Sequence, residues 1–346
     1  MKKYVHGGDV YRHPQALDFS ANINPLGTPE AVIRAAQDSI LQIAHYPDAR
    51  QEKLKKALSG HEQVPESWLI CGNGAAELIF ALAQTIKPKK ALIPAPTFAE
   101  YEQALHGVGC EVLYEELKEE EDFNLGKSIL EHLSKDLDIL FLCNPNNPTG
   151  LLMDAVLLEQ ITEECRKLDI WLVVDECFLD FIENSEMFSQ KKKLASERKL
   201  FILKAFTKIY AMAGLRLGYG ICGNTDFLEQ MEQHIQPWNV SIPAQEAGIA
   251  ALKEVDYVEK TIDFIQKERE FLKQGLRKAG YYVYDSQANY IFFQAEKNLH
   301  RMLLEKNVMI RDCSNYPGLR EGFYRIAVRT HEENEKLLDA IRKVGK

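Results

Sequence analysis

The chain has 346 residues, 46% of them hydrophobic and 27% charged, the balance of a soluble globular protein with one large domain or two moderate ones. Its net charge of −9 argues against nucleic acid as the main partner but leaves room for a small anion in a local cationic pocket. Seven cysteines stand singly without a C-x-x-C pair, Met1–His6 carries no apolar core, and no apolar run nears the ~18 residues of a membrane span; the expectation is a cytoplasmic protein with reduced thiols, no metal site, no signal peptide and no membrane.

No internal repeat or low-complexity linker interrupts the chain. Apolar runs at 91–94, 139–143, 170–175, 200–204 and 217–222 predict buried strands, and the spacing at 75–86, 98–108, 154–168 and 225–235 predicts the helices between them. Such alternation predicts an α/β domain with a mostly parallel sheet sandwiched by helices. Residues 242–279 read as one long helical stretch with a break near 254–257. Strands at 281–284, 290–294, 308–311 and 323–328 and helices at 299–306 and 331–344 then predict a smaller α+β domain. The expected division is 46–245 for the large domain and 246–346 for the small one, with 1–45 packing beside the latter. The charged runs 115–122 and 191–193 are expected to be solvated surface.

Phe206-Thr207-Lys208-Ile209-Tyr210-Ala211-Met212-Ala213-Gly214-Leu215-Arg216 concentrates the chemistry. A lysine amine in apolar surroundings can condense with an aldehyde cofactor, while the Thr207 hydroxyl and the Arg216 guanidinium can hold that cofactor's phosphate. Gly72-Asn73-Gly74-Ala75-Ala76-Glu77 precedes an apolar helix, where backbone N–H groups can face a phosphate. Four further motifs follow strands or lie within one: Pro96-Thr97-Phe98-Ala99-Glu100-Tyr101, Asn144-Pro145-Asn146-Asn147-Pro148-Thr149-Gly150, Val173-Val174-Asp175-Glu176-Cys177-Phe178, and Phe323-Tyr324-Arg325-Ile326-Ala327-Val328-Arg329. An arginine inside an apolar strand, as Arg325 is, needs an anionic partner.

In this order and spacing the six motifs resemble the fold-type I pyridoxal-phosphate enzymes of the aminotransferase superfamily, over nearly the whole chain. The resemblance implies pyridoxal 5'-phosphate as cofactor and Lys208 as its covalent partner. It further implies Phe98 stacked on the pyridine ring, Asn147 bonded to the ring hydroxyl oxygen O3′, Asp175 paired with the ring nitrogen, and Arg325 clamping the substrate carboxylate. Arg329 is expected to be structural.

His6-Gly7-Gly8-Asp9-Val10-Tyr11, Leu17-Asp18-Phe19-Ser20-Ala21-Asn22-Ile23-Asn24-Pro25-Leu26-Gly27 and Ile310-Arg311-Asp312-Cys313-Ser314-Asn315-Tyr316-Pro317-Gly318-Leu319 resemble the threonine-phosphate decarboxylases of cobalamin biosynthesis. The histidinol-phosphate aminotransferases are the alternative, and a non-catalytic cofactor-binding protein is a distant third. The resemblance implies a phosphorylated amino acid substrate whose phosphate is held by His6, Asn24 and Arg311, with Gly7 and Gly8 letting that segment move as a lid. It also implies a homodimer with shared sites, in which Tyr46 reaches the partner's cofactor phosphate. Aminotransferases usually carry a tyrosine where this chain has Phe178, and relatives often carry a hydroxyl or an acid where it has Ala75 and Ala76.

Overall fold

Apolar runs too short for helices and apolar on both faces can only be satisfied side by side, covered above and below. The computed structural model describes residues 6–344, and it lays these runs into one seven-stranded sheet. From edge to edge its strands are Leu69–Gly72, Gly218–Ile221, Leu200–Ala205, Trp171–Asp175, Ile139–Cys143, Lys90–Ala95 and Glu111–Glu116. All neighbours pair in parallel except Gly218–Ile221, which runs antiparallel to both of its own. Alternate residues of one strand enter different cores. Ile139 and Phe141 join helices Ala75–Ile86 and Ala99–Gly107 on one face, while Leu140 and Leu142 join helix Ala155–Leu168 on the other. The result is a three-layer α/β sandwich, in which an anion or cofactor is met at the C-terminal ends of the parallel strands.

A second sheet of four antiparallel strands is ordered Arg311–Asp312, Phe323–Ala327, Tyr290–Gln294, Tyr282–Val283. The N-terminal segment is drawn to this part of the chain. Leu17–Asp18 pairs in parallel with Val308–Met309, and Ala327 donates its N–H to the Phe19 carbonyl at 2.8 Å. Helix Glu30–Ser39 instead packs against helix Ile242–Ala251. No helix among the described residues is long and apolar enough to cross a membrane. Met1–Val5, on which the signal-peptide expectation rests, lie outside the described residues.

Several expectations need correction. The break expected in the 242–279 stretch is there, but at 252–254 rather than 254–257, between helices Ile242–Ala251 and Val255–Lys278. The run 308–311 is not one strand: Val308–Met309 pairs with the N-terminal segment and Arg311–Asp312 with Phe323–Ala327, the chain changing partner at the buried, unpaired Ile310. Strands Leu69–Gly72 and Glu111–Glu116 escaped detection. The second is an edge strand whose charged, largely exposed face breaks the apolar pattern. Its Glu115 is buried rather than solvated, accepting from Ser128 Oγ at 2.8 Å and pairing with His132. Lys191 likewise departs from a solvated run, reaching the buried Glu62 at 2.9 Å.

Candidate active site

A cavity of about 330 Å³ opens where the parallel strands end. Cys143, Asp175 and Ala205 terminate three adjacent strands and all line it. The register Cys143↔Asp175 holds the first two ends level, and Asp175↔Leu203 carries Ala205 two residues beyond them.

One end of the cavity is an anion cradle. Helix Ala75–Ile86 starts here, its N-cap Gly74 at φ +81°, a conformation that suits glycine. Gly74 lies just outside the lining, with Arg216 packed so closely on it that a Cβ would sit 2.4 Å from Nη2. Across the way, a Cβ on Gly218 would sit 2.3 Å from the Ala75 nitrogen. Ala75, Ala76, Thr207 and Arg216 therefore line a narrow space with a helix's first-turn N–H groups, a hydroxyl and a guanidinium. That donor set suits a phosphate.

The floor carries Asp175, which is buried. It accepts from Tyr101 Oη at 2.5 Å and from the Cys177 N–H at 3.0 Å, yet burial still pushes its pKa up. A buried carboxylate held only by neutral donors is suited to a cationic N–H. Lys208, on the one-turn helix Phe206–Ile209, faces the same space. Burial, with Arg325 and Arg216 adding repulsion, brings its amine down to about 8, so a substantial fraction is neutral and nucleophilic near physiological pH. Phe98 lines the cavity on one side, and Cys177 and Phe178 on another.

The far end is cationic. Arg311 and Arg325 stand directly opposite each other across the antiparallel pair, both buried, both lining the cavity. Arg325 donates through Nη1 to the side-chain Oδ1 of Asn147 and through Nη2 to the Ser20 backbone carbonyl at 2.8 Å. That leaves the Asn147 amide nitrogen as the end available to a ligand. Arg311 donates to the Asp312 carbonyl at 2.6 Å and to Asn315 Oδ1 at 2.8 Å, and it lies over the Tyr316 ring. Like charges directly opposite in a sheet repel, and a bound anion relieves that cost. Three residues that line this cavity each carry a buried polar atom, Asn22 Oδ1, Glu100 Oε2 and Arg325 Nε, with no hydrogen-bond partner among the described residues. The site has unmet bonding capacity of both signs.

His6 borders this end with Nδ1 3.3 Å from Glu100 Oε1, its pKa lowered by burial and then by Arg311. The segment behind it is held close: a Cβ on Gly7 would sit 2.2 Å from the Ser20 carbonyl oxygen, and the Gly8 N–H donates to Ser20 Oγ at 2.7 Å.

Of the residues singled out in the sequence, Lys208, Ala75, Ala76, Phe98, Asn147, Asp175, Thr207, Arg216, His6, Arg311 and Arg325 line this one cavity. Asn24 does not, which corrects its expected phosphate role. Its amide nitrogen donates to the Ile209 carbonyl and Thr261 Oγ1 at 2.7 and 2.9 Å, and its oxygen accepts from the Leu26 N–H, so the side chain is committed to the scaffold behind Lys208. Tyr46 also lies outside, largely exposed and stacked on Trp238 at 4.4 Å. Arg329 pairs with Glu333, a structural contact. Sequence reasoning missed Glu100, Tyr101, Asn22 and Tyr316. The first two sit in the Phe98 motif itself, where an acid and a phenol in the opening turn of a helix were the available signal.

Comparison with known proteins agrees with this geometry. The profile of the family described as aminotransferase class I and II matches residues 14–341. The chain is 42% identical to threonine-phosphate decarboxylase of Salmonella typhimurium, over 98% of this chain and 96% of that protein. It superposes on the histidinol-phosphate aminotransferase of Clostridium acetobutylicum with a TM-score of 0.89 at 30% identity, covering 95% of this chain and 99% of that one. The L-threonine-O-3-phosphate decarboxylase of Porphyromonas gingivalis gives 0.83 at 25%, covering 94% and 98%. Fold, motif order and family profile agree, and the chain belongs to the aminotransferase class I and II family.

Proposed function

We propose that this protein is a pyridoxal-phosphate-dependent lyase that decarboxylates L-threonine O-3-phosphate to (R)-1-aminopropan-2-yl phosphate in cobalamin biosynthesis. The observation that carries the reading is the cross-strand pair Arg311 and Arg325, two buried cations in one register position facing the cavity that holds Lys208. Directly opposed strand residues lie roughly 5 Å apart at Cα. A small substrate with two anionic groups, a carboxylate and a phosphate, answers that spacing. Histidinol phosphate carries a phosphate but no carboxylate, and so brings one anionic group where threonine phosphate brings two. The 42% identity to a decarboxylase supports the same choice, whereas overall shape does not discriminate, since an aminotransferase superposes at least as well as a decarboxylase.

The cavity's residues suit the cofactor. Thr207, Arg216 and the N–H groups at Ala75 and Ala76 would hold its phosphate, Phe98 would cover its ring, Asn147 would bind its ring hydroxyl oxygen, and Asp175 would keep its ring nitrogen protonated. When bound, pyridoxal phosphate supplies an aldehyde for the substrate amine and a ring that accepts the electron pair left at Cα when a bond breaks. Arg325 holds the carboxylate and Arg311 with His6 the phosphate, which together fix the orientation about Cα. The carboxylate departs as CO₂, its bonding pair staying with Cα, and Cα gains a proton that Lys208 is placed to supply. Side chains such as Phe98 and Phe178 keep water from competing.

The same reading includes a cytoplasmic homodimer, with Tyr46 directed at the partner's cofactor phosphate, and a chain organised as 46–245 and 246–346 with 1–45 joined to the latter. The exposed Tyr46–Trp238 stack supports the interface. Mixing Lys208→Ala with Tyr46→Ala chains should restore activity, because one site of the mixed dimer regains both groups. The deciding experiment for the reaction supplies purified enzyme with pyridoxal phosphate and threonine phosphate. CO₂ release without a keto acid is expected. Amino transfer to a keto acid with no CO₂, or preference for histidinol phosphate, would replace this reading with the aminotransferase.

A further inference from the structure

Among the described residues, Glu100 is the one side chain at the cationic end of the cavity whose charge opposes the anion expected there. It sits in the first turn of helix Ala99–Gly107, two residues after Phe98, with a side chain only 13% exposed. Oε1 is 3.3 Å from His6 Nδ1, and buried Oε2 has no hydrogen-bond partner among the described residues. The groups facing it are His6 from the N-terminal segment, Lys208 from its short helix, Asp175 from its strand end, Arg311 from the small sheet and Tyr316 beyond it. A carboxylate here would repel a phosphate settling beside Arg311 and His6. A carboxylic acid would instead donate a hydrogen bond to it.

We propose that Glu100 is a specificity-determining residue of the substrate site, which takes up one proton when a phosphate monoester binds beside Arg311 and His6 and donates it as a hydrogen bond to a phosphate oxygen. The inference rests on the assignment of that end of the cavity to the substrate phosphate. In the free protein burial pushes Glu100 up to about 7, so it is poised between its two forms, and an arriving dianion drives it to the neutral one. Orphaned Oε2 then gains the partner it lacks. His6 titrates below the histidine norm, because burial and Arg311 both lower it, and is already neutral across the alkaline range where Glu100 ionises.

Linkage gives this a sign and a size. Above about pH 7 the free site must first acquire a proton, so affinity for the dianion falls as pH rises; below it the acid is already formed. From pH 7 to pH 8.5 affinity should fall about 15-fold. Binding at pH 8 should take up about 0.9 proton through Glu100, and at pH 6 about 0.1.

The probe is the deamino analogue of threonine phosphate, which keeps the carboxylate and the phosphate ester but has no amine to react. Its binding to the holoenzyme is measured by titration calorimetry in buffers of different ionisation enthalpy, for wild type and Glu100→Gln. The amide cannot ionise but can still donate, so this variant should bind with little pH dependence, and the wild-type excess of protons taken up at pH 8 should vanish. The difference between the two proteins cancels titration of Lys208 and of the phosphate itself. Glu100→Ala should also lose the slope, with weaker affinity at every pH. An equal pH slope and equal proton uptake in wild type and Glu100→Gln overturns the proposal, and uniform weakening with the slope intact assigns Glu100 a merely structural clasp on His6. If wild type does not bind the analogue at all, the phosphate assignment falls with it. The two readings fail separately: CO₂ release from threonine phosphate with an unchanged slope in Glu100→Gln sinks only this one.

Discussion

The two ends of the cavity are built by different means. The cofactor end is assembled from strand termini and a helix start, each followed at once by the residue that carries the chemistry: Asp175 closes a strand, Ala75 opens a helix, Lys208 stands three residues past a strand. The substrate end is assembled from distant pieces. Arg311 and Arg325 meet through strand register, His6 through a terminal segment laid along Ser20, and Glu100 through the packing of its helix start against these pieces. Where position follows from the local chain, residue type and function coincide. Where it depends on tertiary packing, the same residue type can serve the scaffold.

The sharpest way to break the cofactor half is Lys208. Lys208→Ala should lower kcat by about 10²–10⁴-fold, the range of a lost general acid–base group, and borohydride should no longer fix pyridoxal phosphate to the chain. Retained labelling, now at another lysine, would remove Lys208 from its role. Stability should move the other way. The amine's folded value of about 8 lies below its ordinary unfolded value, so between them the unfolded chain binds more protons and native stability rises with pH. At pH 7 the cofactor-free protein therefore bears the cost of a buried ammonium, and Lys208→Met should stabilise it by up to ~2–3 kcal/mol in denaturant melts.

The substrate half is tested by its two arginines. Each charge-assisted contact is worth ~2–3 kcal/mol, so Arg311→Ala should raise KM for threonine phosphate by roughly 30–150-fold while leaving the already weak binding of threonine nearly unchanged. Arg325→Ala should weaken both and lower kcat as well, because it removes the group that orients the carboxylate. If Arg311→Ala weakens threonine and threonine phosphate equally, the phosphate is held elsewhere.

Asn24 sharpens the contrast from the side of the scaffold. Asn24→Ala strips partners from the Ile209 carbonyl and the Leu26 N–H, at a cost of ~1–3 kcal/mol of stability. Any loss of activity should appear in kcat, through a less firmly held Lys208 segment, with the ratio of KM for threonine phosphate to that for threonine unchanged. A selective rise in KM for the phosphate ester would return Asn24 to the substrate site.

This contrast also explains what was legible in the sequence. Helices Ala75–Ile86 and His331–Val344 and strands Ile139–Cys143 and Tyr290–Gln294 were readable to the residue, since burial on one stripe or on both faces leaves a strong apolar period. Edge strand Glu111–Glu116 was not, because its side chains answer to solvent and to single partners such as Ser128. Among candidate site residues, eleven reach the cavity, and Asn24 fails for a reason no motif can carry: its hydrogen bonds go to Ile209 and Thr261, far away in the chain. Glu100 was overlooked because an acid in the first turn of a helix is favoured there on electrostatic grounds alone. Its distinguishing property is one buried carboxylate oxygen, Oε2, with no hydrogen-bond partner among the described residues, which belongs to the folded chain.

The smallest expected effect concerns Phe178, where aminotransferases of the family usually place a tyrosine. The ring is buried against Tyr290 at 5.0 Å and Phe181 at 6.5 Å, and it borders the cavity beside Cys177. Phe178→Tyr adds one hydroxyl at the cofactor end while leaving the arginine register at the substrate end untouched. A single neutral hydrogen bond is worth ~1 kcal/mol, so kcat for decarboxylation should change by less than about tenfold and KM for threonine phosphate hardly at all. Transamination measured as a side reaction should rise by no more than a similar factor, because the bond that breaks at Cα is chosen by how Arg325 and the phosphate site hold the substrate. A Phe178→Tyr enzyme that transaminates faster than it decarboxylates would invert this: reaction type would then be set at the cofactor end, and the substrate end would determine affinity alone.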